Sequence, residues 1–168
     1  MSNHVCKAAI AAAAKAGIRH YLVVNISNLS NVVFGKTTAA SADGRKAGYP
    51  LANGNTPTAG MDKQGVTAFL NSIIKLDPAV HAGFVHNMKF SRQMFTTERP
   101  KLEALLDAYF KSGGTQAMIT VVDRGDLEKA MEEPEKYSNL IVRVGGFSAR
   151  FVELSWDLQK DILNRTLY

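Results

Sequence analysis

A chain of 168 residues with 46% apolar and 21% charged residues has the composition of one ordinary folded domain and not of a disordered chain. Twenty Lys and Arg against fifteen Asp and Glu give a net charge of +5, but the basic residues stand singly or in short mixtures such as Arg45 and Lys46, which argues against a nucleic-acid face. The single cysteine, Cys6, excludes an internal disulfide and fits a reducing compartment; no stretch has the apolar length to span a bilayer, so a cytoplasmic protein without a membrane partner is expected.

The alanine-rich run 8–14, followed by Lys15, reads as a helix ending at Gly17 and not as a secretory leader. Residues 21–26 predict a short buried strand, and 25–31 a polar loop broken by Leu29. Gly35, Lys36 and Thr37 imitate the end of a phosphate-binding loop. Ser30 stands in place of its first glycine, however, and Val32, Val33 and Phe34 are too bulky to wrap a phosphate. Residues 42–65 are dense in Gly, Pro, Asn and Asp and predict an unusually long irregular crossing, of the kind that usually carries function. Val66, Phe69, Leu70, Ile73 and Ile74 then recur at helical spacing, giving a core-facing helix that Pro78 terminates.

His81 and His86 flank Gly83 with no acidic or cysteine neighbour in sequence, which is poor metal-ligand spacing; loop or hydrogen-bonded histidines are expected, and no metal site. Residues 84–91 read as a strand on which Asn87 suits an exposed position. Pro100 opens an amphipathic helix with the stripe Leu102, Leu105, Leu106, Tyr109 and Phe110, stopped by Gly113 and Gly114. Residues 116–122 predict another strand. Asp123, with Asp126 three positions on, predicts a boxed helix start, with Leu127, Ala130 and Met131 inward and Glu128, Glu132 and Glu133 forming a solvated face instead of a catalytic carboxylate pair. Strands alternating with helices make an α/β architecture.

Leu140, Ile141, Val142, Arg143 and Val144 predict a strand covered on both faces that runs straight into Gly145 and Gly146. Ser155 is placed to cap a last helix, with Leu158 and Ile162 inward and Asp157 at its positive end. A glycine pair is usually a turn needing positive φ. It also suits a carbon-centred radical. Such a radical is planar, delocalised between the flanking amide nitrogen and carbonyl, and crowded by any side chain; a missing Cβ also lets a thiol approach the carbon.

Arg143, Val144, Gly145, Gly146, Phe147 and Ser148, followed by Phe151 and by Asn164, Arg165 and Thr166, resemble the C-terminal signature of the glycyl radical enzymes, the family of pyruvate formate-lyase and glycerol dehydratase. The likeness extends upstream through Pro134, Leu127, Ala130 and Asp123, through Asn87 to Phe90 and Asn71, Ser72, Lys75 and Asp77, and into the glycine-rich crossing at Asp43, Arg45, Pro50, Thr56, Pro57, Gly60 and Gly65. It spans roughly residues 34–168.

That resemblance implies an α/β fold forming the C-terminal part of a glycyl radical enzyme barrel, with 1–112 as the end of the barrel region and 113–168 as the glycine radical domain. It implies a radical on Gly146 as the catalytic group, in a loop held by Arg143, Gly145, Phe147 and Ser148; core filling is the other reading of Phe147. Arg92 departs from the family where a proline is frequent, and Gln116, Met118 and Thr120 replace the His, Gln and Asn of many members.

The larger departure is a missing thiol. In the family the glycyl radical takes a hydrogen atom from a cysteine far upstream, and Cys6, in an alanine-rich helix, is in no such loop. The resemblance therefore implies a chain inactive alone and binding no cofactor itself. Its partners would be a large cysteine-bearing chain of a lyase or dehydratase, an activating enzyme with an iron-sulfur cluster and S-adenosylmethionine, and the small-molecule substrate of the complete, anaerobic enzyme. The alternatives are an autonomous radical-carrying spare part, which needs only the residues from about Gly113 onward, and an inactive remnant or basic binding module.

Overall fold

The computed structural model describes residues 2–168. Helix α1 (Ser2–Lys15) ends at Gly17, whose φ of +79° supplies the left-handed residue that a helix terminus needs. It docks through Asn3, which donates to the Lys75 carbonyl at 2.9 Å and accepts from the Asp77 amide at 2.9 Å. Cys6 is buried, its Sγ 3.8 Å from both ring nitrogens of His81.

Strand β1 (Val23–Asn25) is where a buried strand was expected, but it is short and open: Tyr21, Leu22, Val24 and Ile26 are all exposed. Nothing among the described residues covers its outer face, whereas a run this apolar predicts cover on both sides. Helix α2 (Ser30–Thr37) takes up the phosphate-loop imitation, so its amides serve helical hydrogen bonds. Gly35 lets that helix lie against the chain at Tyr49, since a Cβ there would stand 2.5 Å from the Tyr49 carbonyl oxygen. The crossing that follows is irregular, as expected. Buried Arg45 organises it by donating to the carbonyls of Ala39, Lys46 and Tyr49, groups that have no regular ladder to join.

Helix α3 (Gly65–Ile73) buries Phe69, Leu70 and Ile73, and it stops before Pro78, in a turn closed by the Ile74 amide on the Leu70 carbonyl. The single strand read over 84–91 is two, β2 (His81–Phe84) and β3 (Asn87–Phe90), broken at Val85 and His86. Strand β1 pairs parallel with β2. After the short α4 (Arg92–Phe95) and α5 (Arg99–Lys111), β4 (Met118–Val121) pairs parallel with β3. Lys89 also bridges Leu167, so the C-terminal tail flanks β3 on the edge opposite β4. On α5 the stripe holds at Leu102 and Tyr109, but Phe110 turns out to solvent.

Helix α6 (Arg124–Glu132) starts after Asp123, whose carboxylate makes no capping bond; it faces Arg92, at 3.8 Å from Nε, and Asp126 also pairs with Arg92, at 2.5 Å. An available guanidinium outcompetes the helix amides. Strands β5 (Ile141–Arg143) and β6 (Ser148–Arg150) form an antiparallel hairpin, and α7 (Trp156–Asn164) closes the fold, starting after a Ser155 that likewise makes no side-chain cap. Along β5 only one face is covered: Val142 is buried, while Ile141 is 60% exposed. The six strands thus form three two-stranded sheets.

Two apolar cores result. One joins Phe69, Leu70, Phe84, Met88, Phe90 and Leu102. The other joins Val122, Leu127, Val142, Val144, Phe151 and Ile162 beneath the hairpin.

Candidate functional site

The hairpin turns in two residues. Arg143 stands opposite Ser148, and the Val144 amide donates to the Phe147 carbonyl at 2.9 Å, leaving Gly145 and Gly146 as the tip. The two glycines differ sharply. Gly145 is buried, and a Cβ on it would meet the Asn28 carbonyl oxygen at 2.6 Å and the Asn28 Cα at 3.1 Å. Gly146 is exposed with φ +106°, and a Cβ on it would have only the Asn28 Oδ1, at 3.6 Å. The first glycine is required by packing, the second by conformation. Asn28 itself has φ +46°, the one non-glycine left-handed residue among those described.

Of the side chains expected to hold this tip, Arg143 and Ser148 meet each other: the guanidinium donates to the Ser148 Oγ at 3.0 Å. The Phe147 side chain does not fill the core, being 42% exposed. The Arg143 amide donates to the Thr120 Oγ1 at 2.9 Å, and Gln116 accepts from the His86 amide at 3.3 Å, so two positions that depart from the family pattern serve packing.

The stronger supports lie elsewhere in the sequence. Arg165, leaving α7, donates to the carbonyls of Arg143 and Val144, both at 3.0 Å, and to Asp161 at 2.9 Å. Asn53, from the glycine-rich crossing, donates to the same Val144 carbonyl at 3.3 Å and accepts from Ser27 and Asn87. Asn87, for which an exposed position was one reading and the family's inward strand the other, is buried in a polar network behind the tip. Arg165 belongs to a recognisable segment, but nothing in its spacing announces its role, and Asn53 is one of several asparagines in an irregular run. Contacts across so much chain carry no local signature.

Lys89 is buried below, donating to the Ile162 and Leu163 carbonyls at 3.1 and 3.0 Å and closing the end of α7; burial first, then Arg124 and Arg165, push its ammonium down to about 8. The tail is tied down once more at Asp62, which accepts from Thr166 and from the Tyr168 hydroxyl; burial, then that carboxylate, hold the phenol above its ordinary range. Among the described residues, no group of three His, Cys, Asp or Glu side chains is gathered to hold a metal ion, and no helix is long and apolar enough to cross a membrane.

A hairpin whose exposed tip glycine rests on a polar network and lies between an irregular crossing and a C-terminal helix is what comparison with known proteins now places. The description "Glycine radical" names the family whose model matches residues 51–152. This chain belongs to that family, and membership implies a glycyl radical made after translation. Among its relatives, the PFL-like enzyme TdcE of Escherichia coli is 38% identical over 148 residues, 82% of this chain and 19% of the relative. The probable dehydratase YbiW of the same organism is 39% identical over 151 residues, 88% of this chain and 19% of the relative. The structure of the glycerol-bound, B12-independent glycerol dehydratase from Clostridium butyricum superposes with a TM-score of 0.78 at 41% identity, covering 82% of this chain and 18% of that one. The chain thus spans about a fifth of the length of the proteins it matches, at their C-terminal end.

Proposed function

We propose that Gly146 carries the radical, as the radical-bearing part of a lyase or dehydratase that acts on a small molecule, and that it stores the unpaired electron for a cysteine on another polypeptide. The observation that carries this reading is the inequality of the two glycines: Gly145 is packed against main chain, while Gly146 is exposed at the tip. An activating enzyme using S-adenosylmethionine and an iron-sulfur cluster removes one hydrogen atom from the Gly146 Cα. The glycyl radical then takes the hydrogen atom of a cysteine S–H, which restores the CH2 and leaves a thiyl radical to attack substrate. Cys6 is not that cysteine: it is 3% exposed and packed on the His81 ring.

Residues 1–112 are assigned to the end of the barrel region and 113–168 to the radical domain. The separate cores on either side of β4 support that division. The spare-part reading is disfavoured, because the relatives align over 82% of the chain or more and so reach well upstream of Gly113. An anaerobic, cytoplasmic setting suits a radical that oxygen destroys.

The test is anaerobic incubation with an activating enzyme and reductant, followed by electron spin resonance of unlabelled and glycine-labelled protein. A glycyl doublet that broadens with the label, and cleavage at Gly146 on exposure to air, are expected. A silent spectrum and an intact chain would identify a remnant or a basic binding module.

A further inference from the structure

We infer that Arg165, backed by Asp161, is the positioning residue for the radical-bearing tip; the inference rests on the reading that Gly146 carries the radical. A Gly-Gly turn has more backbone freedom than any other pair of residues, so the tip cannot fix its own place. The hairpin beneath it is only three residue pairs long. What immobilises the tip is the grip on its entry. One guanidinium holds two successive carbonyls, Arg143 and Val144, each at 3.0 Å, and these close the last two residues before Gly145.

The geometry needs an arginine. A planar fork reaches two carbonyls and a carboxylate in fixed directions, whereas an ammonium is a point charge that cannot span them. Asp161 meets the same Nη2 at 2.9 Å, and the pair is nearly enclosed, with side chains 12% and 10% exposed. Enclosure keeps solvent from competing for the fork. The next residues of the tail are themselves anchored, with Thr166 and Tyr168 on Asp62 and the Tyr168 amide on the Lys89 carbonyl at 2.8 Å. Arg165 thus reaches the tip from a fixed base.

The test compares the unsubstituted full chain with R165A and R165K. Amide hydrogen exchange at Arg143 and Val144, whose amides donate to the Thr120 Oγ1 and the Phe147 carbonyl at the entry to the tip, is expected to quicken on the order of tenfold in both, while the core amides of Val122 and Leu127 hold. Millimolar guanidinium slows exchange at the tip of R165A and ammonium does not, which ties the effect to the planar fork and not to the charge alone. With an activating enzyme that yields a glycyl signal from the unsubstituted chain, radical per chain in R165A falls about tenfold and recovers with guanidinium.

Unchanged exchange at the tip of R165A overturns the inference and leaves the radical reading intact. So does a loosened tip that stores as much radical as before. No signal from the unsubstituted chain sinks the radical reading, and the positioning role with it. Should R165A melt too early to measure, D161N weakens the same grip from behind and is read in the same way.

Discussion

At Gly145 a methyl group has nowhere to go, because the nearest atoms are main chain of Asn28 and cannot swing aside. Gly145→Ala is expected to cost about 2–3 kcal/mol by overpacking. Gly146→Ala meets only ordinary contact, so its cost, about 1–2 kcal/mol, comes from holding alanine at φ +106°. Urea denaturation measures both, and a Gly145→Ala variant as stable as the parent would show that the Asn28 loop yields. Asn28→Ala costs about 1 kcal/mol for the left-handed residue, and Asn28→Gly much less. The adjacency of the two glycines was plain in the sequence, as was the chemical suitability of either for a radical. Their division of labour was not, because it depends on a loop more than a hundred residues away whose only local sign is a polar run.

Between β2 and β3 the chain inserts His86, fully buried, its ring edge-on to Phe69 and Tyr109 at 5.6 and 5.7 Å. Burial pushes its imidazole down to about 4, so the folded chain keeps it neutral while the unfolded chain takes up a proton near the ordinary histidine value of about 6.5. The stability this group contributes is fully present above about pH 6.5 and is lost as pH falls toward 4. Urea midpoints should therefore drop between pH 6.5 and 5, and His86→Phe should flatten that drop. For α7, Lys89→Met removes the donor that the Ile162 and Leu163 carbonyls share, and only Ile162 keeps another, the Arg165 amide; a loss of about 1–3 kcal/mol is expected in the same experiment. Helices α3, α5 and α6 were legible because apolar residues at helical spacing survive any tertiary context. The break at Val85 and His86 was not, since the run 84–91 reads as one apolar strand, and α2 was hidden because it lacks a capping residue and begins inside a polar loop. The expected cap at Asp123 failed for a related reason, since local rules assume that no better partner stands nearby and Arg92 does; the missing side-chain cap at Ser155 has no such partner to explain it.

Over the whole molecule, Tyr21, Leu22, Val24, Ile26, Val33 and Phe34 make one stretch of exposed apolar residues on either side of Asn28, and β1 offers an unpaired edge among the described residues. A chain that spans 19% of its relatives' length is expected to leave such a surface open. Purified alone, it should self-associate as its concentration rises, and Leu22→Lys with Val24→Lys should reduce this in sedimentation velocity. The α/β class followed from alternation of elements along the sequence, but the pairing of strands into three small sheets did not, because register is a property of partners and not of segments. The same covering loop also breaks the mirror symmetry of the tip. Of the two hydrogens on Gly146, the one that an L side chain would replace looks toward the Asn28 amide. Chemically identical in free glycine, they become diastereotopic in fact as well as in name, so glycine carrying one deuterium of known handedness should keep or surrender its label according to which hand it has.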